Sequence, residues 1–182
     1  MQIGLSPLQS GGDFGATIAE CERAEAAGFD SVWLGEHHDS ALLYPTPLIG
    51  LAAIASRTRR VRLGTGVLLL PLYHPLAVAE EAAMVDVISG GRLILGVGAG
   101  YAPEEFAAFG VSMKERGSRL DEAVPLIHRL WAEEKVTHEG RHFEKFVLRD
   151  GKLVGACLWG GRPIIYTLKR LIDAGTDVAA FA

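Results

Sequence analysis

Glu36, His37 and His38 stand together where an apolar run, Ser31 to Leu34, gives way to a polar loop. Two imidazoles beside a carboxylate can accept, donate or orient a proton near neutral pH, because histidine changes charge there. Loops at the C-terminal ends of parallel strands are also where α/β folds carry their ligands. A solvated polar turn would be spelled the same way. A metal is not expected: neighbouring residues of an extended segment point to opposite faces, so His37 and His38 cannot easily share one ion.

His74, before Pro75, follows a third apolar run and belongs to the same rim, although a histidine there also suits a helix start. The glycines of Gly96-Val97-Gly98-Ala99-Gly100 fail the dinucleotide-binding pattern, because Tyr101 takes the place of its third glycine. Gly64-Thr65-Gly66 fails in the same way. Both runs read as room for a flat ligand or for close backbone approach. No nucleophile elbow, phosphate-binding loop or zinc-protease helix is present.

These residues must be positioned by the elements around them. Gln2 to Ser6 reads as a strand, followed by a helix that Asp13 can cap and Gly28 can stop. Ser31 to Leu34 is a second strand, and Pro47 opens a helix to Ser56. Val61 to Leu70 is nearly continuous in apolar residues, as in a strand covered on both faces. Pro75 to Ser89 is the next helix, and Arg92 to Val97 the fourth strand. Strand and helix alternate, which implies parallel βαβ units in a barrel or an open sheet. A further helix carries Leu120, Val124, Ile127 and Trp131 as its apolar stripe, with a kink or a late start expected at Pro125.

After Trp131 the pattern becomes that of hairpins. Val136-Thr137-His138 and His142 to Phe146 flank Glu139-Gly140, and Asp150-Gly151 separates Phe146-Val147-Leu148 from Leu153-Val154. Asp-Gly favours the positive φ values of a two-residue turn. A helix over Pro163 to Gly175 and a short apolar end, Val178 to Ala182, complete the chain.

Composition narrows the partners. Hydrophobic residues make up 49% of the 182-residue chain and charged residues 22%, which suits a globular protein and excludes disorder. The net charge of −4, with both signs interspersed, gives no footprint for nucleic acid. Cys21 and Cys157 lack the spacing of a zinc site or a disulfide framework, so a reduced, cytoplasmic protein is expected. No signal peptide is visible at the N-terminus, and proline interrupts the long uncharged stretches Ser40 to Ser56 and Leu63 to Ala79. Neither reads as a membrane span.

Several of these motifs occur in one order: Glu36-His37-His38, Leu63-Gly64-Thr65-Gly66-Val67 to Pro71, His74-Pro75, Ala79-Glu80, Ser89-Gly90-Gly91-Arg92-Leu93 and Gly96 to Tyr101. With Glu115 to Glu122 after them, residues 1 to 146 resemble the luciferase-like, flavin-dependent monooxygenase family. The resemblance implies a TIM-type (βα) barrel, here a partial one of about four to five βα units with a β-hairpin insertion and a short β-α-β tail. It implies FMN, or alternatively a deazaflavin coenzyme, bound at the C-terminal rim and not required for folding, with a small-molecule substrate. His37 then matches the acid–base residue beside the flavin, with Glu36 and His38 as its orienting neighbours. Gly66 and Val67 match a non-prolyl cis peptide that supports the flavin ring, and Gly98 and His74 join them at the cofactor.

Residues 147 to 182 form the tail. It resembles the C-terminal end of nitrite-reductase-type FAD-dependent pyridine-nucleotide oxidoreductases, while Leu153 to Gly161 could also occupy the place of a fifth barrel strand. Family members are about twice this length, so the chain reads as a truncated member, and a deazaflavin-dependent reductase and a non-catalytic half-barrel that dimerises or binds flavin weakly stay beside the monooxygenase reading. Open sheet edges and an apolar inner face, drawn from Val32, Leu34, Leu63, Val67, Leu69, Leu93 and Leu95, lead to the expectation of a homodimer.

Overall fold

The structure, a computed structural model, describes residues 2–7, 13–38, 44–133, 135–138, 141–149 and 152–159. It divides into two compact units, residues 1–123 and 124–182. The expected junction between residues 146 and 147 falls inside a strand of the second unit.

In the first unit, β1 (Gly4–Leu5), β2 (Ser31–Leu34), β3 (Arg62–Thr65) and β4 (Leu93–Ile94) form a wholly parallel sheet in chain order. Between them run α1 (Phe14–Ala26), α2 (Pro47–Arg57) and α3 (Pro75–Ser89). Strand order equal to chain order is that of a barrel being laid down. A doubly wound sheet would reverse its order at a switch point. The fold is therefore α/β, a partial (βα) barrel.

Local chemistry explains the boundaries. Asp13 accepts the backbone N–H groups of Gly15 and Ala16 at 2.9 and 3.3 Å and so caps α1. Pro47 and Pro75 open α2 and α3, where a missing N–H costs nothing. The guanidinium of Arg92 ties the strand starts to the helix ends, donating to Ser89 O, Thr58 O and Oγ1, Val61 O and Ala55 O. Only its planar fork of donors can serve so many acceptors at once.

β3 is shorter than its apolar run suggests. After Thr65 the chain enters a cis peptide at Gly66–Val67, meets Val97 only through an isolated bridge at Leu68, and then makes a 3₁₀ turn over Leu70–Leu72. Those leucines are buried by a turn rather than by a strand, which composition does not distinguish.

Alternation sorts the sheet's two faces. Val32, Leu34 and Leu63 are 0% exposed, and a methyl group added to Gly50 of α2 would come within 2.7 Å of Leu34 Cδ1. They belong to the helix-covered face. Trp33 points to the opposite face, where its indole lies against Gly4 and Gly64 and donates to Ser31 Oγ at 2.8 Å. Part of the apolar inner face expected from the sequence thus lies under α2, and a half-buried tryptophan over glycines stands in its place.

A short helix that the sequence reading missed, α4 (Pro103–Ala108), follows β4, and α5 (Arg116–Ala132) spans the division between units. α5 runs unbroken through Pro125, so the expected late start does not occur. Pro125 is exposed, where water can satisfy the carbonyl that proline leaves unpaired. The buried seam of α5 is Ala123, Leu126, Ile127 and Leu130, shifted from the expected stripe, of which only Ile127 is buried. In the second unit, β5 (Lys135–His138), β6 (Arg141–Arg149) and β7 (Lys152–Trp159) form an antiparallel sheet, with His138 opposite Arg141 and Arg149 opposite Lys152. The strand pairings of both expected hairpins are present, while their turn residues lie outside the described residues. β7 pairs antiparallel with β6 and is not a fifth parallel strand. The expected helix over Pro163 to Gly175 and the apolar end beyond it lie outside the described residues. No helix among the described residues is long and apolar enough to cross a membrane.

α1 also carries Cys21, 0% exposed, whose thiol is pushed up to about 12 by burial and the nearby Glu20. At its end, Glu25 collects the backbone N–H groups of Arg59, Arg60 and Val61 at 2.6–3.0 Å. Partial burial would raise this carboxyl, but the three donors and the charge of Arg60 outweigh it and hold it below the usual range. A lowered carboxyl stabilises the fold above its unfolded pKa and loses that contribution as pH falls through the folded value. Glu25→Gln should therefore cost about 1 kcal/mol, after allowance for solvent screening, at neutral pH and less in acid. Urea unfolding at both pH values checks this, and an equal cost at both would contradict it.

Candidate active site

At the C-terminal end of the sheet, β2 runs into Glu36, His37 and His38. Their segment is tied down on two sides: Glu36 N donates to Val67 O at 3.2 Å, and His37 N donates to Tyr44 O at 3.2 Å. Tyr44 is itself buried, its hydroxyl 3.2 Å from Thr17 Oγ1.

Glu36 is buried, and its carboxylate is surrounded by donors. Leu69 N donates to Oε2 at 2.5 Å, the Tyr73 hydroxyl donates to Oε1, and His38 Nε2 lies 2.9 Å from Oε1. Burial is the strongest influence and raises the carboxyl above its ordinary range, against the lowering effect of these hydrogen bonds. Burial and the hydrogen bond to Glu36 likewise push the Tyr73 phenol upward, so it remains a donor.

His37 belongs to a second group. Its Nε2 is 3.2 Å from the Tyr101 hydroxyl, and its Nδ1 is 2.5 Å from Glu105 Oε1. The latter is an ion-pair contact not aligned as a hydrogen bond. Glu105 is 3% exposed and its Oε1 also accepts the backbone N–H of His38 at 2.6 Å. The adjacent histidines thus turn to different carboxylates, as alternation along an extended segment requires.

α4 supplies Glu105 and is itself held by Phe106, which is buried with Leu69 and Leu72. Gly100 makes that seat: its φ is 74°, and a methyl group added there would fall 2.9 Å from Phe106 Cε2. Phe109, at the end of α4, packs on the His38 ring with centroids 4.5 Å apart.

Val67, whose carbonyl accepts from Glu36 N, and Tyr101, bonded to His37, border the two groups as a partly exposed ledge. Val67 is 40% exposed and Tyr101 75%, unusual for side chains of their type beside buried acids. Gly98 N donates to Leu68 O at 2.9 Å, and a methyl group on Gly98 would fall 2.7 Å from Val67 Cγ2. The glycine keeps the ledge flat. The Gly66–Val67 peptide is cis, as the resemblance implied. His74 is not part of either group: it is exposed, and its Nδ1 accepts the Leu76 N–H at 3.2 Å at the start of α3.

Glu105, Tyr73 and Tyr101 were not singled out from the sequence. Tyr101 counted there only as the residue that breaks a glycine pattern. A usable signal existed for Glu105, because Pro103-Glu104-Glu105 opens a helix just after the fourth strand, on the rim that already held the histidines.

Residues 2–164 of the chain match the luciferase-like monooxygenase family. The chain belongs to that family. The match reaches past residue 146, where the sequence resemblance had ended, and takes in β7. Among similar proteins, the F420-dependent glucose-6-phosphate dehydrogenase of Kineococcus radiotolerans is 42% identical over 129 residues, 66% of this chain and 38% of that one. The monooxygenase RslO1 from Streptomyces bottropensis superposes with a TM-score of 0.72 at 39% identity, covering 86% of this chain and 48% of that one. The oxygenating constituent of 3,6-diketocamphane monooxygenase from Pseudomonas putida, in complex with FMN, does so with a TM-score of 0.69 at 25% identity, covering 86% and 43%. The chain spans less than half the length of these luciferase-like relatives.

Glu36 generates a prediction of its own. A buried carboxyl raised in the folded state contributes stability that is fully present below its unfolded pKa and is lost as pH rises through the folded value. Tyr73→Phe removes a donor that supports the ionised form, so it deepens that loss. The variant should be less stable by about 1–3 kcal/mol at neutral pH and by less in acid. Denaturant titrations of both proteins at the two pH values test this, and a loss confined to acid would reverse the assignment.

Proposed function

We propose that this chain carries the flavin-facing part of a luciferase-like oxidoreductase, with FMN as cofactor and a small organic molecule as substrate. The observation that supports it best is His37. A buried carboxylate holds one of its ring nitrogens, and the other faces an exposed tyrosine hydroxyl on an apolar ledge. An imidazole held this way is placed to exchange a proton with a bound molecule.

The ledge fits a planar ring. Gly66, Val67 and Gly98 would hold it, since Val67 offers exposed apolar surface and Gly98 offers none that protrudes. A bound reduced flavin would supply the electrons, by hydride transfer or by reaction with oxygen. His37 then holds or moves the proton at Nε2, and Tyr101 passes it to or from the exposed side. Glu36 and His38 act behind His37, fixing the loop from which it projects. His74 we assign to capping α3.

A deazaflavin in place of FMN is the second reading, supported by the similarity to an F420-dependent dehydrogenase. The visible spectrum of the loaded protein separates the two, because a deazaflavin absorbs at shorter wavelength than FMN. Failure to bind either would leave a non-catalytic half-barrel and overturn the proposal. In the loaded protein, His37→Ala should lower turnover by about 10²-fold or more, with FMN affinity changed by less than about threefold. Equal losses in binding and turnover would make His37 a binding residue only.

We also propose a homodimer. Among the described residues β1 and β4 are sheet edges, with backbone groups open to pairing. Met84, Val87 and Ile88 stand about half exposed on one side of α3. Light scattering should give twice the chain mass, and a strictly monomeric species would sink the idea.

A further inference from the structure

Glu105 has a task that the reading of His37 as the proton-exchanging group does not by itself require, and the inference here rests on that reading. From the geometry we infer that Glu105 is a positioning residue, which selects the form of the neutral His37 ring that carries its hydrogen on Nδ1 and its lone pair on Nε2.

The argument begins with immobility. Glu105 is 3% exposed, and its Oε1 accepts the backbone N–H of His38 at 2.6 Å. Swinging the carboxylate away would leave that N–H without its partner, which a part-buried donor resists. α4 gives it no slack either, because Phe106, the next residue, is 1% exposed and locked beside Leu69 and Leu72. Oε1 is therefore held in place as a hydrogen-bond acceptor.

It lies 2.5 Å from Nδ1 of His37. If Nδ1 carried the lone pair, that lone pair would face the lone pairs of an oxygen already committed as an acceptor, at closer than contact distance. With the hydrogen on Nδ1, the same approach is attractive even though it is not aligned as a hydrogen bond. A neutral ring thus presents its basic nitrogen, Nε2, to the Tyr101 hydroxyl 3.2 Å away and to the exposed ledge. Glu36 cannot take over this role, because Leu69, Tyr73 and His38 already occupy its oxygens. One carboxylate steadies the loop, and the other decides which nitrogen of His37 works.

The ring nitrogens can be read directly by NMR of ¹⁵N-histidine-labelled protein without flavin, at a pH where His37 is neutral. The wild type should show a single form with the hydrogen on Nδ1. Glu105→Gln should give a mixture of the two forms, because an amide can donate to Nδ1 as well as accept from it, and Glu105→Asp should restore most of the original form. In the FMN-loaded protein, Glu105→Gln should lower turnover by about 10–100-fold, as for other residues that orient a working ligand. FMN affinity should change by less than about threefold, and the Asp variant should recover part of the rate. A wild-type ring with its hydrogen on Nε2 overturns the inference whether or not the variants fold, and so does an unchanged ring in Glu105→Gln. If instead the ring responds as stated while His37→Ala leaves turnover intact, the proposed role of His37 fails and the assignment of Glu105 stands.

Discussion

A carboxylate withdrawn from water must be surrounded by donors or give up its charge. Glu36 meets that demand by drawing its donors from separate parts of the rim. A backbone N–H comes from Leu69 in the turn after β3, a phenol from Tyr73 at the end of that turn, and an imidazole from its own loop. Each donor is held in place because the acid needs it. The loop after β2 and the turn after β3 are thereby fixed relative to each other. Tyr73 and His38, both bonded to the acid, in turn contact the ring of Phe109 at the end of α4. The position of Glu105, and so of the His37 ring, depends at one remove on a buried acid bonded to neither of them.

Spacing revealed one half of this arrangement. Glu36-His37-His38 at the end of an apolar run identifies a strand's C-terminal end, and alternation separates the two histidines before any coordinates are seen. The partners came from the segments that follow β3 and β4. Glu105 lies 68 and 67 residues from His37 and His38 in sequence, and the parallel order of β2, β3 and β4 brings it back. Local pattern is blind to such pairs. His74 shows the opposite limit, since its position on the rim was readable but the direction of its ring was not: it turned to its own helix.

The fold was legible where chemistry punctuates the chain. Asp13, Pro47, Pro75 and the glycines after α1 and α3 set boundaries that the structure keeps. Legibility failed where apolar content has more than one use. Most apolar residues from Val61 to Leu70 are buried, Val67 excepted, yet burial is achieved first by a strand and then by a turn. In α5 two stripes one residue apart are both compatible with a 3.6-residue period, and tertiary packing chose the one containing Ala123 and Leu130. Composition offered Val32, Leu34 and Leu63 among the candidates for an apolar inner face and left alternation to sort them, and the sheet turns these three toward its helices.

Trp33 and Gly64 sit side by side on β2 and β3, and the indole fills the space a side chain at 64 would need. The two positions therefore do not vary as independent letters. A larger residue at 64 is admissible only after 33 has shrunk, because the reverse order passes through a clash, whereas shrinking first leaves merely a gap on a half-exposed face. Evolutionary routes through this pair have a direction. In any set of related sequences the sizes at 33 and 64 should rise and fall in opposition, so that the volume of one can be read from the identity of the other.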